Sequence, residues 1–103
     1  MAKSEREIQN EIRLFLGKRG WLCFRCNVGT VETADGRYFT TGLPDGFPDL
    51  LAIGPGGNIL FIEVKTATGK QRQAQKRMQK VLTELGHTYV VARAVNDLFQ
   101  YIN

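Results

Sequence analysis

The sequence predicts one α/β domain, a mixed sheet flanked by helices, on three observations. Two segments carry helical periodicity: Ile8, Ile12, Phe15 and Leu16 near the start, and Ala74, Met78, Val81, Leu82 and Leu85 later. Short apolar runs at Asp49–Ile53, Ile59–Lys65 and Tyr89–Ala92 have strand length. The stretch Gly54-Pro55-Gly56-Gly57-Asn58 is a strong turn signal between two of those runs. A chain of 103 residues has room for one core, so residues 1–103 form a single domain.

The first helix is expected over Ser4–Arg19. Ser4 and Glu7 have the spacing of a capping box, and Gly20 stops the helix. Trp21–Asn27 reads as a strand. The long stretch from Val28 to Phe47 has little periodicity, but Asp35-Gly36 is a hairpin signal, so Val31–Ala34 and Arg37–Thr40 are expected to pair as an arm. Two strands follow, Asp49–Ile53 and Ile59–Lys65. After a loop over Thr66–Gly69, a helix is expected over Lys70–Leu85, ended by Gly86, with His87 as a turn residue. A strand at Tyr89–Ala92 and a short helix over Val95–Ile102 complete the order: helix, three strands, helix, strand, helix.

Charged residues make up 23% and hydrophobic residues 43%, ordinary globular values that exclude disorder and collagen-like repeats. No apolar run approaches the ~20 residues of a membrane span. The charged N-terminus has no secretory apolar stretch, which predicts a cytoplasmic protein. Fourteen Lys and Arg against ten Asp and Glu give a net charge of +4, a mild hint of a polyanionic partner. Cys23 and Cys26 are the only cysteines. On a strand they point to opposite faces, so buried structural thiols are expected rather than a redox or zinc pair.

The chemistry lies in the hairpin. A turn over 54–58 that sets Ile53 opposite Ile59 also sets Leu50 opposite Ile62 and Asp49 opposite Glu63. Opposed residues share a face, and Lys65, two positions beyond Glu63, lies on that same face. Asp49, Glu63 and Lys65 should therefore converge at one end of the sheet. Two opposed carboxylates are costly without a cation between them, and hard divalent ions such as Mg²⁺ or Mn²⁺ suit oxygen donors. The lysine can position a water and offset charge building on a phosphate. A surface Lys65–Glu63 pair with Asp49 as a turn residue is the other reading of this spacing. A second Pro-Asp, Pro44-Asp45, falls outside the paired segment.

Gly46-Phe47-Pro48-Asp49 followed by Glu63-Val64-Lys65 resembles the signature of the PD-(D/E)XK nucleases, and the chain as a whole resembles the stand-alone VRR-NUC (virus-type replication-repair nuclease) domains of phages. The resemblance rests also on a glutamate in the first helix (Glu5), on Arg25-Cys26-Asn27-Val28-Gly29 after the first strand, and on Gln75 in the second helix. It runs from Ser4 to Asp97. It implies a restriction-endonuclease-like αβββαβ core and a metal-dependent endodeoxyribonuclease acting in replication or repair. The implied cofactor is Mg²⁺ or Mn²⁺, held by Asp49, Glu63 and the Val64 carbonyl, with Lys65 handling the water. Branched DNA such as a Holliday junction is the implied substrate, cut by a homodimer. A non-catalytic DNA-binding module with the same fold is the competing reading.

The supporting residues carry alternatives. Glu5 and Glu11 both flank the apolar stripe of the first helix; the family pattern favours Glu5. Gln75 in isolation reads as solvent-exposed, and the resemblance makes it an active-site residue. Lys70, Arg72, Lys76, Arg77 and Lys80 read as a solvated face or, beside a phosphodiesterase site, as backbone-phosphate contacts; Arg25 and Asn27 join them. Val95, Leu98, Phe99 and Ile102 offer more apolar side chain than a short helix needs, and this is where the dimer surface is expected.

Overall fold

The computed structural model describes residues 2–40 and 42–102, with the side chains of Thr30 and Val31 left aside. Helix α1 spans Glu5–Lys18. The expected capping box is present: Ser4 Oγ accepts from the Glu7 N–H at 3.1 Å, and Glu7 Oε1 accepts from the Ser4 N–H at 3.2 Å. Strand β1 covers Leu22–Arg25, β2 Thr30–Glu32, β3 Tyr38–Thr40, β4 Leu50–Ile53, β5 Ile59–Val64 and β6 Thr88–Ala92. Helix α2 covers Gln73–Glu84, and a 3₁₀ segment covers Val95–Tyr101.

The main sheet has the order β1-β4-β5-β6, antiparallel except for the parallel β5–β6 pair that α2 connects. The β4–β5 register is the expected one, with Ile53 opposite Ile59 and Leu50 opposite Ile62. The arm also forms, as a separate two-stranded sheet, but with shorter strands than expected: Ala34 and Arg37 fall in its turn.

One face of the main sheet carries the core. Leu50, Ala52, Leu60, Ile62, Val64, Val90 and Ala92 meet Ile8, Ile12 and Leu16 of α1, with Leu98 and Ile102 from the C-terminal segment. Trp21 closes the edge at the β4–β5 turn. A methyl group on Gly54 would stand 2.4 Å from the indole, so only glycine admits the ring there.

Four expectations are corrected. Helix α2 starts at Gln73 rather than Lys70, because the Gln75 side chain accepts from the Arg72 N–H at 2.7 Å and caps the helix at Arg72. Its inward face is Ala74, Gln75, Met78 and Leu82; Val81 and Leu85 are exposed. Strand β1 ends at Arg25, so Cys26 and Asn27 leave the sheet, and both thiols are half-buried rather than buried. Burial still pushes the Cys23 thiol up to about 11, an unreactive group at neutral pH. The C-terminal helix is 3₁₀, capped by Asp97 Oδ2 accepting from the Arg93 and Ala94 N–H groups. Its Leu98 and Ile102 fill the chain's own core, which removes them from any dimer surface.

Candidate active site

The register that builds the core also builds the opposite face of the sheet. Residues opposed across β4, β5 and β6 share a face, so Phe61, Glu63 and Tyr89 lie together on the side away from α1. Lys65, next after β5, continues that row, and its backbone N–H still donates to the Ala92 carbonyl at 3.0 Å.

Asp49 stands immediately before β4. Its carbonyl accepts from the Cys26 N–H at 2.8 Å, and its Oδ2 accepts from the Val64 N–H at 2.8 Å. The Asp49 backbone is thus tied to the end of β1 and its carboxylate to the end of β5. Glu63 is fully buried. Its Oε1 accepts from the Tyr89 hydroxyl at 3.2 Å. Its Oε2 lies 3.1 Å from Lys65 Nζ, an ion-pair distance, yet has no hydrogen-bond partner of acceptable angle. Lys65 itself is buried. Asp49, Glu63 and Lys65 are therefore brought together as the spacing predicts, and the pair is no surface ion pair.

The electrostatics follow from that crowding. Burial raises the Asp49 carboxyl above its usual value; the Val64 N–H opposes this, Glu5 adds to it, and Lys65 and Arg72 pull back. Burial likewise raises Glu63, opposed by Lys65, and the Asp49 charge adds to the rise. Two adjacent carboxylates that both resist ionisation, with the single Lys65 ammonium beside them, form a site short of positive charge. The donors are hard oxygens, the kind that Mg²⁺ and Mn²⁺ take. Among the described residues, no group of three or more His, Cys, Asp or Glu side chains is arranged to hold a metal ion, so this pair supplies the nearest acidic donors.

Glu5 and Glu11 separate clearly. Glu5 is close enough to raise Asp49. Glu11 is engaged by Lys3 Nζ at 2.7 Å and lines a groove with Leu14, Phe15 and Val95. Gln75 is buried, not the exposed residue that its isolated reading gave, and its carbonyl oxygen is used in capping α2. Arg72 reaches across to Asp45 at 3.1 Å, and its charge is felt at Asp49. Asp45 is thus an exposed partner of that arginine and not part of the Asp49–Glu63 pair. Lys70, Arg72, Lys76, Arg77, Arg25 and Asn27 are all exposed; Lys70 and Arg72 precede α2 rather than lying on it.

Two residues escape the sequence reading. Tyr89 looks like a β-forming strand residue until the parallel register sets it opposite Phe61 and diagonal to Glu63. Arg93 donates to the carbonyls of Thr66 and Gly69, at 2.6 and 2.7 Å, and ties down the loop that follows Lys65.

Among solved structures, the chain is similar to a "VRR_NUC domain", with a TM-score of 0.69 and 25% sequence identity over 93% of this chain and 90% of that one. The chain has a VRR-NUC fold. This agreement covers the small mixed sheet and its flanking helices. No protein-family model matches the sequence, and no curated protein matches it.

Proposed function

We propose that this VRR-NUC-fold domain is an endodeoxyribonuclease that hydrolyses DNA phosphodiester bonds with Mg²⁺ or Mn²⁺, acting on branched DNA in replication or repair in the cytoplasm. The observation that carries this reading is the grouping of a half-buried Asp49 with the buried Glu63 and Lys65, in which Glu63 Oε2 lies 3.1 Å from Lys65 Nζ. A domain that only bound DNA would have no use for two adjacent carboxylates that disfavour ionisation and repel a polyanion.

Asp49 and Glu63, with the Val64 carbonyl, would hold the ion. Bound there, a divalent cation supplies Lewis-acid polarisation of a phosphoryl oxygen and a more acidic water. Lys65, kept close by Glu63, positions the attacking water and offsets negative charge building on the phosphate. Glu5 adds a further carboxylate beside Asp49. Gln75 fixes the start of α2, which aims the basic residues around it. Lys70, Arg72, Lys76 and Arg77, with Arg25 and Asn27 across the site, take the DNA backbone. One site per chain cuts one strand per encounter, so a homodimer supplies the second cut.

Plasmid, linear duplex and four-way-junction DNA, each incubated with Mg²⁺, Mn²⁺ or chelator, test the reading. Metal-dependent cleavage, fastest on the junction, is expected. Cleavage that persists in excess chelator overturns the metal assignment, and binding without cleavage in every condition leaves the non-catalytic module.

A further inference from the structure

The hydroxyl of Tyr89 is spent on Glu63 alone among the acidic groups of the site, at 3.2 Å from Oε1. It is also held from behind. The Gln71 side chain stands beside the same hydroxyl, and Gln71 Nε2 donates to Gln79 Oε1 of α2 at 3.0 Å. A chain of contacts therefore runs from the helix through Gln71 and Tyr89 to the buried glutamate. Its effect on the carboxylate is directional. One oxygen is occupied by the tyrosine, and the other, beside Lys65, is left without a hydrogen-bond partner.

We infer that Tyr89 is a positioning residue that orients the Glu63 carboxylate, so that Oε2 is the oxygen presented to a divalent cation. The inference rests on the metal-dependent reading above and adds to it the residue that sets the ligand's geometry. A carboxylate with one oxygen fixed loses less rotational freedom on taking up an ion than a free one. Partners of this kind, behind the ligand, are worth about 10- to 100-fold in metal affinity or activity. In this role Tyr89 acts through Glu63.

Tyr89→Phe removes the hydroxyl and keeps the ring. Calorimetric titration with Mn²⁺ alone, without DNA, is the decisive readout for wild type, Tyr89→Phe, Gln71→Ala and Glu63→Gln. About 10-fold or greater weakening of Mn²⁺ binding is expected for Tyr89→Phe, a smaller change in the same direction for Gln71→Ala, and near-complete loss for Glu63→Gln. In cleavage assays the Tyr89→Phe defect should appear as a higher Mn²⁺ concentration for half-maximal rate, with kcat largely restored at saturating metal. A Tyr89→Phe protein that binds Mn²⁺ as wild type does, with only a lowered Tm, would give the tyrosine a structural role and overturn the inference. Failure of wild type itself to bind Mn²⁺ overturns the metal reading and this inference together, and so is distinguishable from failure of Tyr89 alone.

Discussion

Asp49 Oδ2 accepts the backbone N–H of Val64 at 2.8 Å, across the end of the β4–β5 pair. The bond joins the residue before β4 to the residue between Glu63 and Lys65, so the strand register and the geometry of the site are one feature. It predicts a sharp contrast between the two Pro-Asp pairs. Asp49→Asn should abolish cleavage, because the amide keeps the Val64 contact but loses the charge that faces the cation. Asp45→Asn should retain activity, with DNA affinity unchanged or raised by no more than about threefold, the scale of the exposed ion pair that it releases from Arg72. Cleavage rates and binding constants for both variants decide it; an active Asp49→Asn would contradict the site.

Lys65→Ala should separate chemistry from binding. The lysine is buried beside Glu63 and is assigned to the transition state, so its loss should lower kcat by about 100-fold or more. DNA affinity should stay within a few-fold of wild type. A parallel fall in both would make Lys65 a phosphate anchor instead.

The triad was legible in the sequence because the short turn at 54–58 leaves one sensible register, and a period of two then assigns the faces. The capping box of α1 was legible for a similar reason, since Ser4 and Glu7 interact locally. What escaped depends on distant contacts. Tyr89 joins Glu63 only after α2 has carried the chain back to a parallel strand. Val81 and Leu85 fit a helical stripe, but the sheet offers α2 a narrower bed, centred on Gln75 and Leu82. Leu98 and Ile102 looked surplus because the gap they fill beside α1 and the sheet cannot be seen from their own short segment.

Gly46 and Gly42 make a matched pair for stability. Both have positive φ, +87 and +94. A methyl on Gly42 meets open space, whereas one on Gly46 would stand 2.4 Å from the Ala74 carbonyl oxygen. Gly42→Ala should therefore cost only the left-handed backbone penalty, about 1 kcal/mol. Gly46→Ala should add a backbone clash, for about 3 kcal/mol in all. It should also lower activity, because Phe47-Pro48-Asp49 follows directly. Denaturant unfolding of the two variants checks the difference; equal costs would mean that the loop does not lie against α2.

A homodimer is expected, using Leu14 of α1 and Phe99, which are 61% and 56% exposed. Phe99 packs against Phe15 with centroids 5.6 Å apart, so its exposed edge is held in place. Light scattering after size exclusion should give twice the chain mass of 11.6 kDa. Leu14→Glu with Phe99→Glu should halve that mass and leave single-strand nicking intact. A monomer mass with and without junction DNA would leave a nickase as the description.

The pH dependence of stability tests the crowding of the two carboxylates directly. Asp49 and Glu63 are both raised, chiefly by burial, so the folded protein holds these protons more tightly than the unfolded chain does. Their contribution to stability is therefore full below the ordinary carboxylate range and is lost as the pH rises through the folded values. In chelator, at a pH above the raised folded values, the ionised pair opposes folding, so Asp49→Asn should have a higher Tm than wild type there; below the ordinary carboxylate range, where protonation removes the repulsion, the two should melt together. Adding Mn²⁺ should raise the wild-type Tm at the higher pH only, since the ion binds the folded state with its carboxylates ionised. The variant should respond much less. Thermal melts at the two pH values, with and without Mn²⁺, give all four comparisons, and an Asp49→Asn protein less stable than wild type at the higher pH would show that Asp49 is held by favourable contacts rather than strained by its neighbours.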